Sequence, residues 1–222
     1  MSAYRRKFKP PLKDKDLRPL LIIAVEGDVT EIEYFQDWNQ RIDTVNASIE
    51  LIPPKGKTDP KHIFDNLVLN QSKRVGPTEY WMVIDRDQWP LKTMEFIVQE
   101  CKSKDFHFCV SNPSFEFWLL LHFERGDCIK HAETDVANTA SSDCAKRLRS
   151  ERYLGGFHKS FKRGQLDVLF SKWKTAVNNA RALDTPKCKD FPKNKTGSTV
   201  YKLVEHLTSF LPLTKEEEKT IP

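Results

Sequence analysis

Apolar residues fall in two kinds of spacing along this chain. Leu20-Leu21-Ile22-Ile23-Ala24-Val25 is an unbroken aliphatic run that stops at Glu26-Gly27-Asp28, and a helical pattern opens at Thr30. A short, continuous, β-branched run is what a strand buried on both faces of a parallel sheet requires. Thr30 and Glu33 have the spacing of a capping box, and Ile32, Phe35 and Trp38 share one helical face, which predicts a helix from Thr30 to about Ile42.

The alternation repeats. Ala47 to Ile52 reads as a strand ending at Pro53-Pro54. Asp59-Pro60 is an N-cap with proline at the first helical position, and Ile63, Phe64 and Leu67 form that helix's inner face. Glu79 to Ile84 is a third strand, containing the apolar run Tyr80-Trp81-Met82-Val83-Ile84 and followed by Asp85-Arg86-Asp87. Pro90 opens a helix with Met94, Ile97, Val98 and Cys101 inward, and Phe106 to Val110 is a fourth strand. Strand and helix alternating in this way predict an α/β fold, a Rossmann-like parallel sheet. Next, Ser111-Asn112-Pro113 starts a helix that is apolar almost all round and runs to Phe123, so it is predicted to be buried.

Beyond residue 124 the strand pattern disappears. Helices are predicted between Ala132 and Arg152, from Gln165 to Leu183 as one element, and from Ser198 to Leu211. The chain thus divides into a basic arm (1–18), an α/β domain (19–124) and a helical extension (125–222).

Composition narrows the class. The 222 residues are 39% hydrophobic and 30% charged, a soluble globular balance. No apolar run approaches the roughly 20 residues that span a bilayer, which predicts no membrane partner. The basic N-terminus lacks the apolar segment of a secretory signal. Five dispersed cysteines without a CxxC pair favour a reducing cytoplasm over a disulfide framework or zinc knuckle. The absence of Walker and GxGxxG sequences argues against an NTPase or a dinucleotide enzyme.

The net charge of +5 is mild, but its distribution is uneven. Basic residues cluster at 5–18, at Lys146 to Arg152, at Lys159, Lys162 and Arg163, and at Lys187 to Lys195, whereas acids collect at strand ends. Such a pattern suits a polyanion held beside bound metal ions, or else a solubilising surface.

The candidate chemistry lies at those strand ends. Asp85 and Asp87, one residue apart in extended backbone, point the same way and can reach one cation. Mg²⁺ or Mn²⁺ takes hard oxygen donors, commonly one or two carboxylates plus water and phosphate. Glu26 would complete the site or serve as general base, and Glu31 is a candidate ligand for a second ion. The plain alternative is that acids after strands cap helices or form turns. Glu116, inside the apolar helix, is either an acid tied to His122 or an arginine, or a wall of the active site. Ser111 and Asn112 could hydrogen-bond phosphate or cap the next helix. Ser198 and Thr199 could hold a phosphate at the start of the last helix or cap it. Gly27 belongs to the same turn as Glu26. Lys159 and Lys162 stand among aromatic residues, a mix that fits nucleic-acid contact or a solvated loop.

The tracts Val25-Glu26-Gly27-Asp28-Val29-Thr30-Glu31, Ile84-Asp85-Arg86-Asp87, Ser111 to Phe123, Gly156 to Lys159 and Ser198 to Val204 resemble the Toprim-type domain of RloB-like (AbiLii-like, abortive-infection) proteins. The SNPSFEFWLLLHF tract is the most specific, and the likeness covers about residues 20 to 211. The resemblance implies a Toprim-like α/β domain and a metal-dependent nuclease, cleaving DNA or RNA (tRNA included), that acts as an effector of anti-phage defence. It also implies a separately encoded AAA/ABC-type ATPase as partner. By that comparison Glu26 matches the Toprim glutamate, and Asp85 and Asp87 its metal-binding pair. Toprim nucleases of the overcoming-lysogenization-defect kind carry a second acid four residues after the glutamate; that position is Thr30 here, with Glu31 one further on. They also use a lysine near the substrate, for which Lys159 is the candidate. The rival expectation is a non-catalytic effector or sensor that binds nucleic acid or the ATPase and retains the fold. The sequence leaves a homo-oligomer open.

Overall fold

The computed structural model describes residues 18–74, 76–86, 89–127, 129, 137–184, 190–193 and 195–212. Asp87, Asn194, Cys128, Cys188 and all but the last residue of the basic arm lie outside the described residues. The elements in order are β1 (Leu20–Val25), α1 (Thr30–Arg41), β2 (Ser48–Ile52), α2 (Pro60–Gln71), β3 (Thr78–Asp85), α3 (Leu91–Ser103), β4 (His107–Asn112) and α4 (Phe115–Leu120). Then come α5 (Ala137–Leu148), α6 (Gln165–Ser171), α7 (Trp173–Leu183), β5 (Gly197–Ser198) and α8 (Val200–Thr208). The fold is α/β and Rossmann-like. One sheet of order β2-β1-β3-β4-β5 is parallel throughout except for β5, which pairs antiparallel with β4.

The period of two in the strands explains why the aliphatic runs had to be continuous. Leu21, Ile23 and Val25 of β1, with Trp81 and Val83 of β3, pack on one side with residues of α1, α4, α5, α7 and α8. Ile22 and Ala24, with Tyr80, Met82 and Ile84, pack on the other side with α2 and α3. Both faces of the sheet are therefore covered, and a one-residue slip of β1 would exchange its two faces at once. Residues between 129 and 207 contribute to the first of these cores. Asp59 caps α2 as its sequence predicts, its carboxylate accepting from the His62 amide at 3.0 Å.

Four local expectations need correction. The predicted capping box does not form: Val29 is the N-cap of α1, and Thr30 is already helical. Thr30 and Glu33 instead reach residues more than 120 positions away (below), because the buried N-terminus of α1 offers them partners from a distant loop. The segment from Gln165 to Leu183 is two helices, broken at Lys172 (φ −112°, ψ 9°), whose amide bonds back to Leu169 in a tighter turn. A fifth strand exists after residue 124, two residues long and thus without a periodicity to read. The last helix starts at Val200, because Ser198 and Thr199 are used by the sheet.

Candidate active site

The sheet order reverses between β1 and β3: the chain leaves β1 for β2 on one side and returns to β3 on the other. At such a switch point the loops after the two strands part and leave a crevice at their carboxyl ends. Glu26 and Asp85 stand there. The Glu26 amide bonds Val83 O at 3.2 Å, and the Glu26 carboxylate accepts from the Asp85 amide at 2.9 Å through Oε2. Its Oε1 lies 3.4 Å from the Trp89 indole nitrogen. Two strand ends 59 residues apart in sequence are thus fastened by one carboxylate.

The crevice deepens into a cavity of about 140 Å³ that Glu26, Gly27, Glu31, Asp85, Glu116 and Lys159 help to line. Glu31 is buried in the first turn of α1, and its Oε1 accepts from the Gly27 amide at 3.2 Å. A Cβ on Gly27 would stand 2.0 Å from Glu31 Oε2. Because Gly27 is not in the left-handed region, it is glycine for room and not for backbone freedom. Glu116 accepts from the Ser114 hydroxyl at 2.7 Å, whereas His122 bonds the Tyr34 hydroxyl and carbonyls of α4.

Burial raises the Glu31 carboxyl to about 7; bonds from backbone amides resist this, and repulsion from Glu116 and Glu26 adds to it. The folded chain therefore keeps a Glu31 proton that the unfolded chain releases. Stability from that proton is fully present below the ordinary value of 4.5 and is lost as pH rises through about 7. His122 behaves oppositely. Burial lowers it to about 4, its Nδ1 faces the Trp118 and Leu119 carbonyls at 3.1 Å, and its Nε2 lies 3.4 Å from the Tyr34 hydroxyl. Nδ1 must therefore carry the hydrogen of a neutral ring, and Nε2 accepts from Tyr34. His122 is a core histidine whose contribution is intact above about 6.5 and lost as pH falls towards 4.

Lys159 enters the cavity wall from far along the chain. Its backbone is left-handed (φ 61°), its carbonyl accepts from the Thr30 hydroxyl, and the next-but-one amide, Phe161, donates to Glu33 Oε2 at 2.7 Å. These two bonds, spanning 129 and 128 residues, strap the 158–162 segment to the first turn of α1.

Four other candidates lie elsewhere. Ser111 and Ser198 share a hydrogen bond of 2.9 Å across β4 and β5, and the Asn112 side chain donates to the Pro192 and Lys195 carbonyls at 3.1 and 2.9 Å. Thr199 accepts from the Val110 amide at 2.8 Å. All four are buried and serve the sheet edge. Thr30 and Phe115 also line the cavity, neither of them an expected site residue; the pairing of a helix start with a remote loop has no local signature.

As to a metal, the donors at the cavity are carboxylate oxygens, the chemistry Mg²⁺ or Mn²⁺ requires. The mutual repulsion of Glu31, Glu116 and Glu26 is of the kind a cation relieves. Among the described residues no three acids, histidines or cysteines are grouped as a ready ligand set, and Asp87 lies outside them. The donor chemistry fits, and the described part of the set is open.

Fold and site together define an α/β protein with a carboxylate-lined crevice at the switch point of a parallel sheet. A sequence model of the RloB-like protein family matches residues 21–207, so the chain belongs to the RloB-like family. No curated protein and no solved structure matches it. Among the described residues no helix is long and apolar enough to cross a membrane.

Proposed function

We propose that this chain is a Toprim-type, metal-dependent nuclease acting on DNA or RNA as an effector of anti-phage defence with a partner ATPase. The observation that carries the reading is the joining of Glu26 to the end of β3 beside Asp85, in the cavity that Glu31 and Glu116 also line. Glu26 and Asp85, with Asp87, would hold Mg²⁺ or Mn²⁺, and Glu31 is a further oxygen donor. When bound, the ion supplies charge to the phosphate and acidifies a water. Lys159, exposed at the cavity rim, positions the substrate phosphate. Gly27 leaves room for the Glu31 carboxylate, and the Thr30 and Glu33 bonds hold Lys159 in place.

The test is incubation of the purified protein, with and without its ATPase, with total cellular DNA and RNA in Mn²⁺ or Mg²⁺. Cleavage is expected for the wild type and absent for Glu26→Gln and Asp85→Asn at unchanged melting temperature. Full cleavage by the double variant refutes the assignment, and no cleavage by any preparation favours a binding effector instead.

A further inference from the structure

A second hollow, of about 500 Å³, opens further along α1. Its walls are the later turns of α1 (Gln40, Arg41) and the strap as it runs into α6 (Phe161, Lys162, Arg163, Leu166). The volume is that of a small-molecule site. Lys159 lines the first hollow and Phe161 the second, two residues apart and so at most about 7 Å along the chain, and the two hollows lie within a few nucleotides of each other. The strap borders both, with Lys159 at the first and Lys162 and Arg163 at the second.

The charges of the groove are divided. Arg41 is engaged by Asp37 at 2.6 Å and Asp167 at 2.7 Å, and lies 4.2 Å from the Phe170 ring centroid. That arginine belongs to the scaffold. Lys159, Lys162 and Arg163 are exposed, and none is ion-paired with a carboxylate among the described residues. Three available cations within five positions are matched by an apolar wall. Phe161, held at 5.2 Å from Phe157, and Leu166 are both half-buried. Cations beside a half-buried phenylalanine and a leucine give a strand with its bases turned out both phosphate partners and a stacking face. A duplex, with its bases stacked inward, offers none to such a wall.

We propose that this groove is a subsite for single-stranded nucleic acid, taking the strand segment that adjoins the one at the carboxylates. Lys162 and Arg163 hold its phosphates, Lys159 marks its boundary with the segment at the carboxylates, and Phe161 and Leu166 face a base. The placement of the strand relative to the chemistry rests on the nuclease reading; the binding itself does not.

Fluorescein-labelled single-stranded oligonucleotides, in RNA and DNA forms, should be titrated with the full chain in EDTA over a series of salt concentrations, with anisotropy as the readout. Lys162→Ala/Arg163→Ala, at exposed positions, should leave the thermal melt unchanged. It should lower the slope of log affinity against log salt by about 1.4, at about 0.7 per cation on a single strand. Phe161→Ala should weaken binding roughly tenfold at an unchanged slope, the loss of one stacking contact. Unchanged affinity and slope in the Lys162/Arg163 variant, or no binding of either oligonucleotide by the wild type, overturns the subsite. Glu26→Gln/Asp85→Asn, assayed separately for cleavage in Mn²⁺, tests the nuclease reading alone. If that variant still cleaves while the Lys162/Arg163 variant loses slope, the nuclease assignment falls and the groove stands.

Discussion

Replacing Gly27 by alanine tests the packing of the site in its most confined place. The added Cβ would stand 2.0 Å from Glu31 Oε2, 2.4 Å from Cδ and 2.5 Å from Oε1, so the carboxyl group has to leave its position. Leaving breaks its bond from the Gly27 amide. A forced rearrangement of this kind costs roughly 1–3 kcal/mol, and the lost charge-assisted bond about 1.5–3 kcal/mol at full ionisation. Rehydration of a carboxyl group that burial has penalised offsets part of both, and a net loss of about 2 kcal/mol is expected. In a Glu31→Ala background the space is empty. Gly27 there behaves as an ordinary glycine outside the left-handed region, and alanine should stabilise by roughly 0.5 kcal/mol through the unfolded chain. The sign of the substitution thus reverses with its neighbour. Urea denaturation of the four proteins gives the coupling directly, provided that the m-values agree. A Gly27→Ala cost equal in both backgrounds, within about 0.5 kcal/mol, would refute the close approach of Gly27 and Glu31.

The remaining expectations concern the strap and the two buried titrating groups. Thr30→Val with Glu33→Ala should release the 158–162 segment at a stability cost of about 1–3 kcal/mol, with trypsin cleavage after Lys159 or Lys162 accelerated; unchanged cleavage there would show that those bonds do not hold the strap. Between about pH 4.5 and 6.5 the folded chain retains the Glu31 proton and lacks the His122 proton, so their opposed slopes nearly cancel. In EDTA, Glu31→Gln should unmask His122, with stability falling by about 1.4 kcal/mol per unit as pH drops through that window; wild-type and variant curves that run parallel there would refute the opposed shifts.

How much of this was legible beforehand follows from the range over which each feature is decided. The β1 and β3 runs and the Asp59 cap are local: continuous β-branched stretches, and an acid before a proline, have few other uses. Their reading needed no partner. The order β2-β1-β3-β4 is decided by which strands pair, and the pairing of Leu20 with both Ser48 and Thr78 is invisible in any one window. Thr30 and Glu33 are the instructive failure. Their spacing is that of a capping box, and in an isolated helix each would satisfy the other's backbone. Here the start of α1 is covered by the 158–162 segment, whose Lys159 carbonyl and Phe161 amide compete for the same two side chains and win. Glu31 shows the same limit. Both Glu31 and Glu33 suit a first helical turn, and only the tertiary contact decides which turns inward beside Gly27 and which outward to the strap.

The site is consequently assembled at two levels that are separable in principle. Glu26 and Asp85 come from strand ends: Glu26 is fixed by a bond to the backbone of β3, and its position follows from strand pairing. Lys159 comes from the strap, and its position depends on two side chains of α1. A change that loosens the strap therefore displaces the cation and leaves the Glu26–Asp85 junction in place. The physical basis is the difference in what holds each part. Strand ends lie in a core where Val25, Val83 and Ile84 are buried, whereas the strap ends in the exposed residues His158 and Lys162. The strap is therefore expected to open at the lower free energy, seen as faster amide exchange at Phe161 than at Asp85; equal protection of the two would refute it.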